Sequence, residues 1–260
     1  MRSYRAKPRD GVAWVTGASS GIGRAVALEL ARRGYRVAVT ARRKGDLEEL
    51  VCHTENITSF PGDVTDVAAM RALVKRIERQ LGPIALAFLN AGVYFVQERA
   101  VFSAELAWRT FEVNTGGVLN CLDPLLVEMR RRRFGQIVMN ASLAAYGGMP
   151  GSLSYAASKA AVVSLAETLR MTEDRQGINV QVVTPGFVET AMTAHETSFA
   201  MPFLMDADQA ATRICDGIEI SGFEITFPKR LAWPYKFVAL LPYPLYFAIM
   251  RWVTRRVPLG

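Results

Sequence analysis

The chain has 260 residues, half of them hydrophobic, and a formal charge of +7, so it is long enough to bury the core of one α/β domain. The positive surplus favours anionic partners such as nucleotide phosphates or anionic lipid, but no basic run with interleaved aromatics supports nucleic acid. Cys52, Cys121 and Cys215 are widely spaced and odd in number, which argues for reduced thiols in the cytoplasm, and with only His53 and His195 no cluster has metal-ligand spacing, so no metal is expected.

Residues 1–10 form a basic N-terminal arm without the apolar stretch of a secretory signal. Apolar, β-rich runs then alternate with helical patterns. Strands are predicted at 12–16, 36–40, 57–61, 84–89, 136–140, 179–184 and 224–227. Helices are predicted at 21–33, 47–53, 66–80, 104–132, 155–175 and 206–219. Continuously apolar strands are buried on both faces, as in a parallel sheet, and regular strand–helix alternation gives a doubly wound α/β fold. Arg130–Arg133 falls at a helix end, where cations satisfy carbonyls and the dipole. Without a linker or repeat, 1–260 reads as a single domain.

The first strand runs into Thr16-Gly17-Ala18-Ser19-Ser20-Gly21-Ile22-Gly23. Glycines between a strand and a helix let the backbone turn sharply and approach a pyrophosphate, whose charge the free N–H groups and helix dipole favour. An NAD site places an acid about 20 residues on, against the ribose 2′-hydroxyl. Here that region reads Val39-Thr40-Ala41-Arg42-Arg43-Lys44, and no acid precedes Asp46. A carboxylate would repel a 2′-phosphate whereas guanidinium binds it bidentately, so Arg42 and Arg43 favour NADP(H) over NAD(H). Asp63-Val64 follows the third strand; the acid could accept from an adenine amine or cap the next turn. Asn90-Ala91-Gly92 ends the fourth strand with small residues suited to close approach of a ribose or adenine edge.

Tyr155 and Lys159 stand at i and i+4 of a predicted helix, on one face, with Ser142 upstream. An unperturbed phenol titrates near pH ~10. An adjacent ammonium stabilises phenolate and should bring the phenol toward the range useful for general acid–base work. Ser142 would hydrogen-bond the same substrate oxygen.

With these pieces in order, the chain resembles the short-chain dehydrogenase/reductase family over about 12–190, with recognisable elements to about 227. The resemblance implies a Rossmann-type sheet of seven mainly parallel strands flanked by helices, and reversible hydride transfer with a nicotinamide. It implies Tyr155 as proton donor, Lys159 as ribose ligand and pKa modulator, and Ser142 as the orienting hydroxyl. It further implies Asn114 as holder of a relay water, and Pro185, Gly186, Val188 and Thr190 as the nicotinamide cradle. A homodimer through the helices near 104–132 and 155–175, or a homotetramer, follows from the same likeness.

The segment 187–205 should cover the substrate. Phe187, Met192, Phe199, Met201, Phe203, Leu204 and Met205 make it apolar and adaptable, and Ala144, Tyr146 and Met149 would line the opposite wall. His195 in this segment reads as solvated. Residues 229–260 are an apolar and basic C-terminal extension, helical in pattern, with no acid from 225 onward. The uncharged run within them, 237–250, is fourteen residues with Pro242 and Pro244 inside, too short to span a bilayer. Two readings stand: a helix pair closing the substrate pocket or a subunit interface, or a membrane-peripheral anchor using 229–256 on anionic lipid. The expected function is NADP(H)-dependent interconversion of a carbonyl and an alcohol on a small hydrophobic substrate. The alternatives are a 3-oxoacyl-thioester reductase, or a non-catalytic nucleotide-binding scaffold at a membrane.

Overall fold

The computed structural model describes residues 4–52, 54–95, 102–148, 151–193, 201–220 and 222–256. Strands β1 (Val12–Thr16), β2 (Arg36–Thr40), β3 (Ile57–Ser59), β4 (Ile84–Leu89), β5 (Gly135–Asn140), β6 (Ile178–Pro185) and β7 (Glu224–Phe227) form one sheet. Their order is β3-β2-β1-β4-β5-β6-β7, with every pairing parallel. The connecting helices are α1 (Gly21–Arg32), α2 (Lys44–Val51), α3 (Val67–Leu81), α4 (Ala104–Phe111), α5 (Gly117–Arg132), α6 (Leu153–Glu173) and α7 (Ala207–Ile218). After β7 come α8 (Lys229–Ala239) and α9 (Tyr243–Val253).

Side chains alternate across a strand, so β1 serves two cores at once. Ala13 and Val15 pack with Val26 and Leu30 of α1 and Ile214 of α7 on one face. Val12 and Trp14 pack with Met70 of α3, Leu125 of α5 and Val162 of α6 on the other. Trp14 is fully buried and donates its indole N–H to Thr40 Oγ1 at 2.9 Å, so the largest side chain of the core carries no orphaned donor. The chain winds outward from β1 to β3 and then returns to place β4 on the other side of β1. That reversal opens a crevice at the carboxyl ends of β1 and β4, where doubly wound folds hold ligands.

The single helix expected over 104–132 is interrupted. Glu112–Gly116 forms a π turn between α4 and α5. Two contacts explain it: Asn114 is drawn inward to partners outside its own helix, and Gly117 lies so close to Val64 that a Cβ would sit 2.6 Å from its Cγ2. The Arg cluster at the end of α5 is structural, as Arg130, Arg131 and Arg132 pair with Glu173, Glu128 and Glu78.

Candidate active site

The turn after β1 is built by contact as much as by conformation. Gly17 has φ +67°, and a Cβ there would lie 2.7 Å from the Ala91 Cα; one on Gly23 would lie 2.3 Å from the Gly17 carbonyl oxygen. Only glycine lets the α1 N-terminus pack this tightly on the end of β4. The strand ends are braced by side chains. Thr16 Oγ1 accepts from the N–H groups of Asn90 (2.9 Å) and Ala91 (3.1 Å). Asn90 Nδ2 donates to the carbonyl of Thr16 (3.1 Å), and Asn140 Nδ2 donates to Asn90 Oδ1 (2.8 Å). The N-cap of α1, Ser20, makes no side-chain capping bond, and the first turn carries no acid, which leaves its N–H groups for an anion.

A crevice of ≈ 320 Å³ runs from this turn across the sheet ends. Gly17, Ser19, Ser20, Gly21 and Ile22 line it at one side, with Arg42, Arg43, Asp63 and Val64 beyond them. Asn90, Ala91 and Gly92 form its floor. Ser142, Tyr155 and Lys159 stand at the other end beside Pro185, Gly186, Val188 and Thr190. Of the residues singled out in the sequence, Gly23 and Asn114 lie behind the lining.

The two arginines differ. Arg43 Nε is 2.6 Å from Asp46 Oδ2, and its Nη2 donates to Ser19 Oγ at 3.3 Å. Arg42 makes no hydrogen bond or ion pair among the described residues. Asp63 takes the second of its two expected roles: its Oδ1 accepts from the N–H (3.0 Å) and hydroxyl (2.9 Å) of Thr65, capping the turn, while the residue still borders the crevice.

At the chemical end, Ser142 caps the short turn after β5, its Oγ accepting from Ala144 N–H at 3.2 Å, and it lines the crevice with Tyr155. Lys159 is 4% exposed; its Nζ donates to the Asn140 carbonyl at 2.8 Å and lies 5.8 Å from the Tyr155 ring centre. Burial lowers the Lys159 ammonium to about 8. The expected lowering of Tyr155 is reversed: burial raises the phenol, against a smaller lowering by the Ser142 hydrogen bond. The Lys159 ammonium, turned to the Asn140 carbonyl, does not offset this burial, and the phenol is protonated at neutral pH.

Asn114 is fully buried. Oδ1 accepts from Val93 N–H at 2.7 Å, and Nδ2 donates to the Val93 carbonyl and Ser158 Oγ, both at 3.0 Å. Asn114 positions the segment after β4.

Over the nicotinamide cradle, Glu189 N–H donates to Met205 (2.8 Å) and Met205 N–H to Phe187 (3.0 Å), closing the base of the substrate segment. Of the apolar side chains expected over the substrate, Met192 lines the crevice, whereas Phe187, Met201, Phe203, Leu204 and Met205 do not. Phe199, Met149, His195 and His53 lie outside the described residues. Ala144 and Tyr146, expected on the opposite wall, do not line the crevice; Tyr146 instead donates its hydroxyl to Glu224 Oε1 at 2.8 Å. Val93, Asn140 and Thr193 belong to the site and were not singled out in the sequence. Asn140 offered a signal, since it ends β5 as Asn90 ends β4. The Asn140 side-chain oxygen is buried without a partner among the described residues.

A glycine-walled turn under an uncapped helix, guanidinium groups where an acid would stand, and a Ser–Tyr–Lys end fit a nicotinamide dinucleotide. Among the described residues no group of His, Cys, Asp or Glu could hold a metal. The fold and site define a dinucleotide-binding oxidoreductase. The family profile described as short chain dehydrogenase matches residues 11–200, and the chain belongs to that family. An "uncharacterized oxidoreductase" of Myxococcus xanthus is 35% identical over 92% of this chain and 96% of its own length. The 3-oxoacyl-(acyl-carrier-protein) reductase FabG of Staphylococcus aureus is 33% identical over 70% of this chain and 76% of its own length. Among solved structures, a variant of the actinorhodin polyketide ketoreductase, crystallised with NADPH, superposes with a TM-score of 0.78. It is 26% identical, covering 87% of this chain and 99% of that one.

Proposed function

We propose that this oxidoreductase uses NADP(H) to reduce the carbonyl of a hydrophobic substrate to an alcohol. The observation that carries the reading is the convergence of Ser142, Tyr155 and Lys159 at one end of a crevice whose other end holds Arg42 and Arg43. The cofactor, when bound, supplies the hydride. Ser142 orients the substrate oxygen. Tyr155, held protonated by burial, delivers the proton to that oxygen as the C–O bond becomes single, and is reprotonated from solvent. Lys159 holds the ribose hydroxyls and stabilises the phenolate left behind. Arg42, which has no partner among the described residues, accepts the 2′-phosphate. The apolar side chain of Met192 at the crevice favours a lipophilic substrate. A panel of carbonyl compounds, monitored by loss of NADPH absorbance, tests it; no turnover with any of them, despite NADPH binding, refutes it.

The FabG relative supports a second reading, reduction of a 3-oxoacyl thioester. The α8–α9 extension counts against it. A homodimer or homotetramer is supported by exposed Trp108, Val127 and Met171 on α4, α5 and α6. Sedimentation velocity of the purified protein decides that point.

A further inference from the structure

Helix α8 docks on β7 and the turn after β5, and α9 on α8 and Gly148, each by one face only. Ala232, Tyr235, Lys236 and Tyr246 turn inward: Tyr235 donates to the Gly147 carbonyl at 2.8 Å, Tyr246 to that of Gly148 at 3.0 Å, and Lys236 pairs with Glu224. The other face is apolar and open. Trp233, Phe237 and Leu240 recur at helical spacing and are 65%, 66% and 83% exposed. Tyr243 and Phe247 continue the face on α9, rings stacked with centres 5.7 Å apart, and Trp252 extends it. Isolated apolar side chains on a surface need no explanation, but a contiguous aromatic face does.

Its rim is cationic. Lys229, Arg230, Arg251 and Arg255 are exposed, and 225–260 contains no acid. Neighbouring Glu224 is already engaged by Lys236, Tyr146 and Thr184. No helix among the described residues is long and apolar enough to cross a membrane, and each of these two has 11 residues. Short amphipathic helices with Trp and Tyr on the apolar side and Lys and Arg around them suit the headgroup boundary of a bilayer. A second copy of the chain fits worse, because a two-fold contact would set this cationic rim against itself.

We infer that α8 and α9 form an in-plane anchor that seats the protein on an anionic lipid surface. The anchor stands apart from the cofactor and substrate readings: the side chains on its open face do not line the crevice.

The test is co-sedimentation of the intact protein with vesicles of equal parts phosphatidylglycerol and phosphatidylcholine, beside pure phosphatidylcholine vesicles. The protein should pellet with the mixed vesicles, with blue-shifted tryptophan emission, and should be released by salt without any substitution. The double variant Phe237→Glu/Phe247→Glu, checked for folding by circular dichroism, should lose about tenfold or more in partitioning. Replacing Lys229, Arg230, Arg251 and Arg255 by Ala should weaken mixed-vesicle binding by at least about tenfold. Failure of the intact protein to pellet with mixed vesicles overturns the proposal. So does vesicle binding that both sets of substitutions leave intact. If Phe237→Glu/Phe247→Glu dissociates an oligomer while vesicle binding persists, the face is a protein interface and the anchor is rejected.

Discussion

The hydroxyl of Tyr246, on the last α-helix of the chain, donates to the backbone carbonyl of Gly148, just after the turn that Ser142 begins. Tyr235 makes the same bond to Gly147, and a Cβ on Gly147 would lie 2.8 Å from the Tyr246 oxygen. The C-terminal helices are thereby fastened to the segment between Ser142 and Tyr155. Each such bond is worth about 1 kcal/mol net. The double variant Tyr235→Phe/Tyr246→Phe should lower kcat for carbonyl reduction several-fold and leave NADPH affinity unchanged. Parallel losses in both would mean general unfolding and not displacement of Ser142.

Under the proposed mechanism, Tyr155→Phe removes the proton donor and little else. General acid catalysis contributes about 10²–10⁴-fold, and kcat should fall by that order while NADPH still quenches tryptophan fluorescence on binding. Retention of full turnover would assign the proton to another group.

The cofactor reading rests on the contrast between Arg42, which has no protein partner among the described residues, and Arg43, which is held by Asp46 and Ser19. Arg42→Ala should weaken NADPH binding by ~10–100-fold, the equivalent of a hydrogen bond to a charged group, and leave NADH binding nearly unchanged. Titration of both cofactors by fluorescence reads this out, and equal losses would remove the 2′-phosphate contact.

The pH profile follows from Lys159. At about 8 its ammonium is present below and lost above that value, so phenolate stabilisation weakens as pH rises. The kcat/KM for reduction should be flat below pH about 8 and fall above it. Lys159→Arg, which stays charged, should move the descending limb to higher pH. A limb that stays in place in that variant would belong to a different group.

Asn114 supplies a stability test. Asn114→Ala leaves the half-buried Val93 N–H without its 2.7 Å partner, at a cost of roughly 1 kcal/mol. Thermal unfolding should shift down, and activity should fall with it because Val93 borders the crevice. An unchanged melting temperature would show that the π turn holds itself.

Strand limits were legible wherever burial on both faces left an uninterrupted apolar run, as at Val12–Thr16 and Ile84–Leu89, both found as expected. The start of α2 was not: its first turn, from Lys44, is polar, and apolar periodicity begins only at Leu47. The π turn at Glu112–Gly116 was hidden because its cause is tertiary, the pull of Val93 and Ser158 on Asn114. The crevice residues were legible as types at strand ends, but their electrostatics were not. Spacing showed Lys159 on the Tyr155 face, and only coordinates revealed the ammonium turned to the Asn140 carbonyl and the phenol raised by burial. Tyr146 illustrates the same limit, since nothing local announced that Glu224, on the edge strand, would claim it.

The Thr16–Asn90–Asn140 brace has a thermodynamic consequence. Because these side chains already lock the ends of β1, β4 and β5 together, the floor beneath a dinucleotide is organised during folding, before any ligand arrives. Association then loses little conformational entropy on that side, and affinity there reflects contacts made, with only a small deduction for ordering. Weakening the brace, as in Asn140→Ala, should therefore appear in calorimetry as a more unfavourable binding entropy even where every contact to the dinucleotide survives.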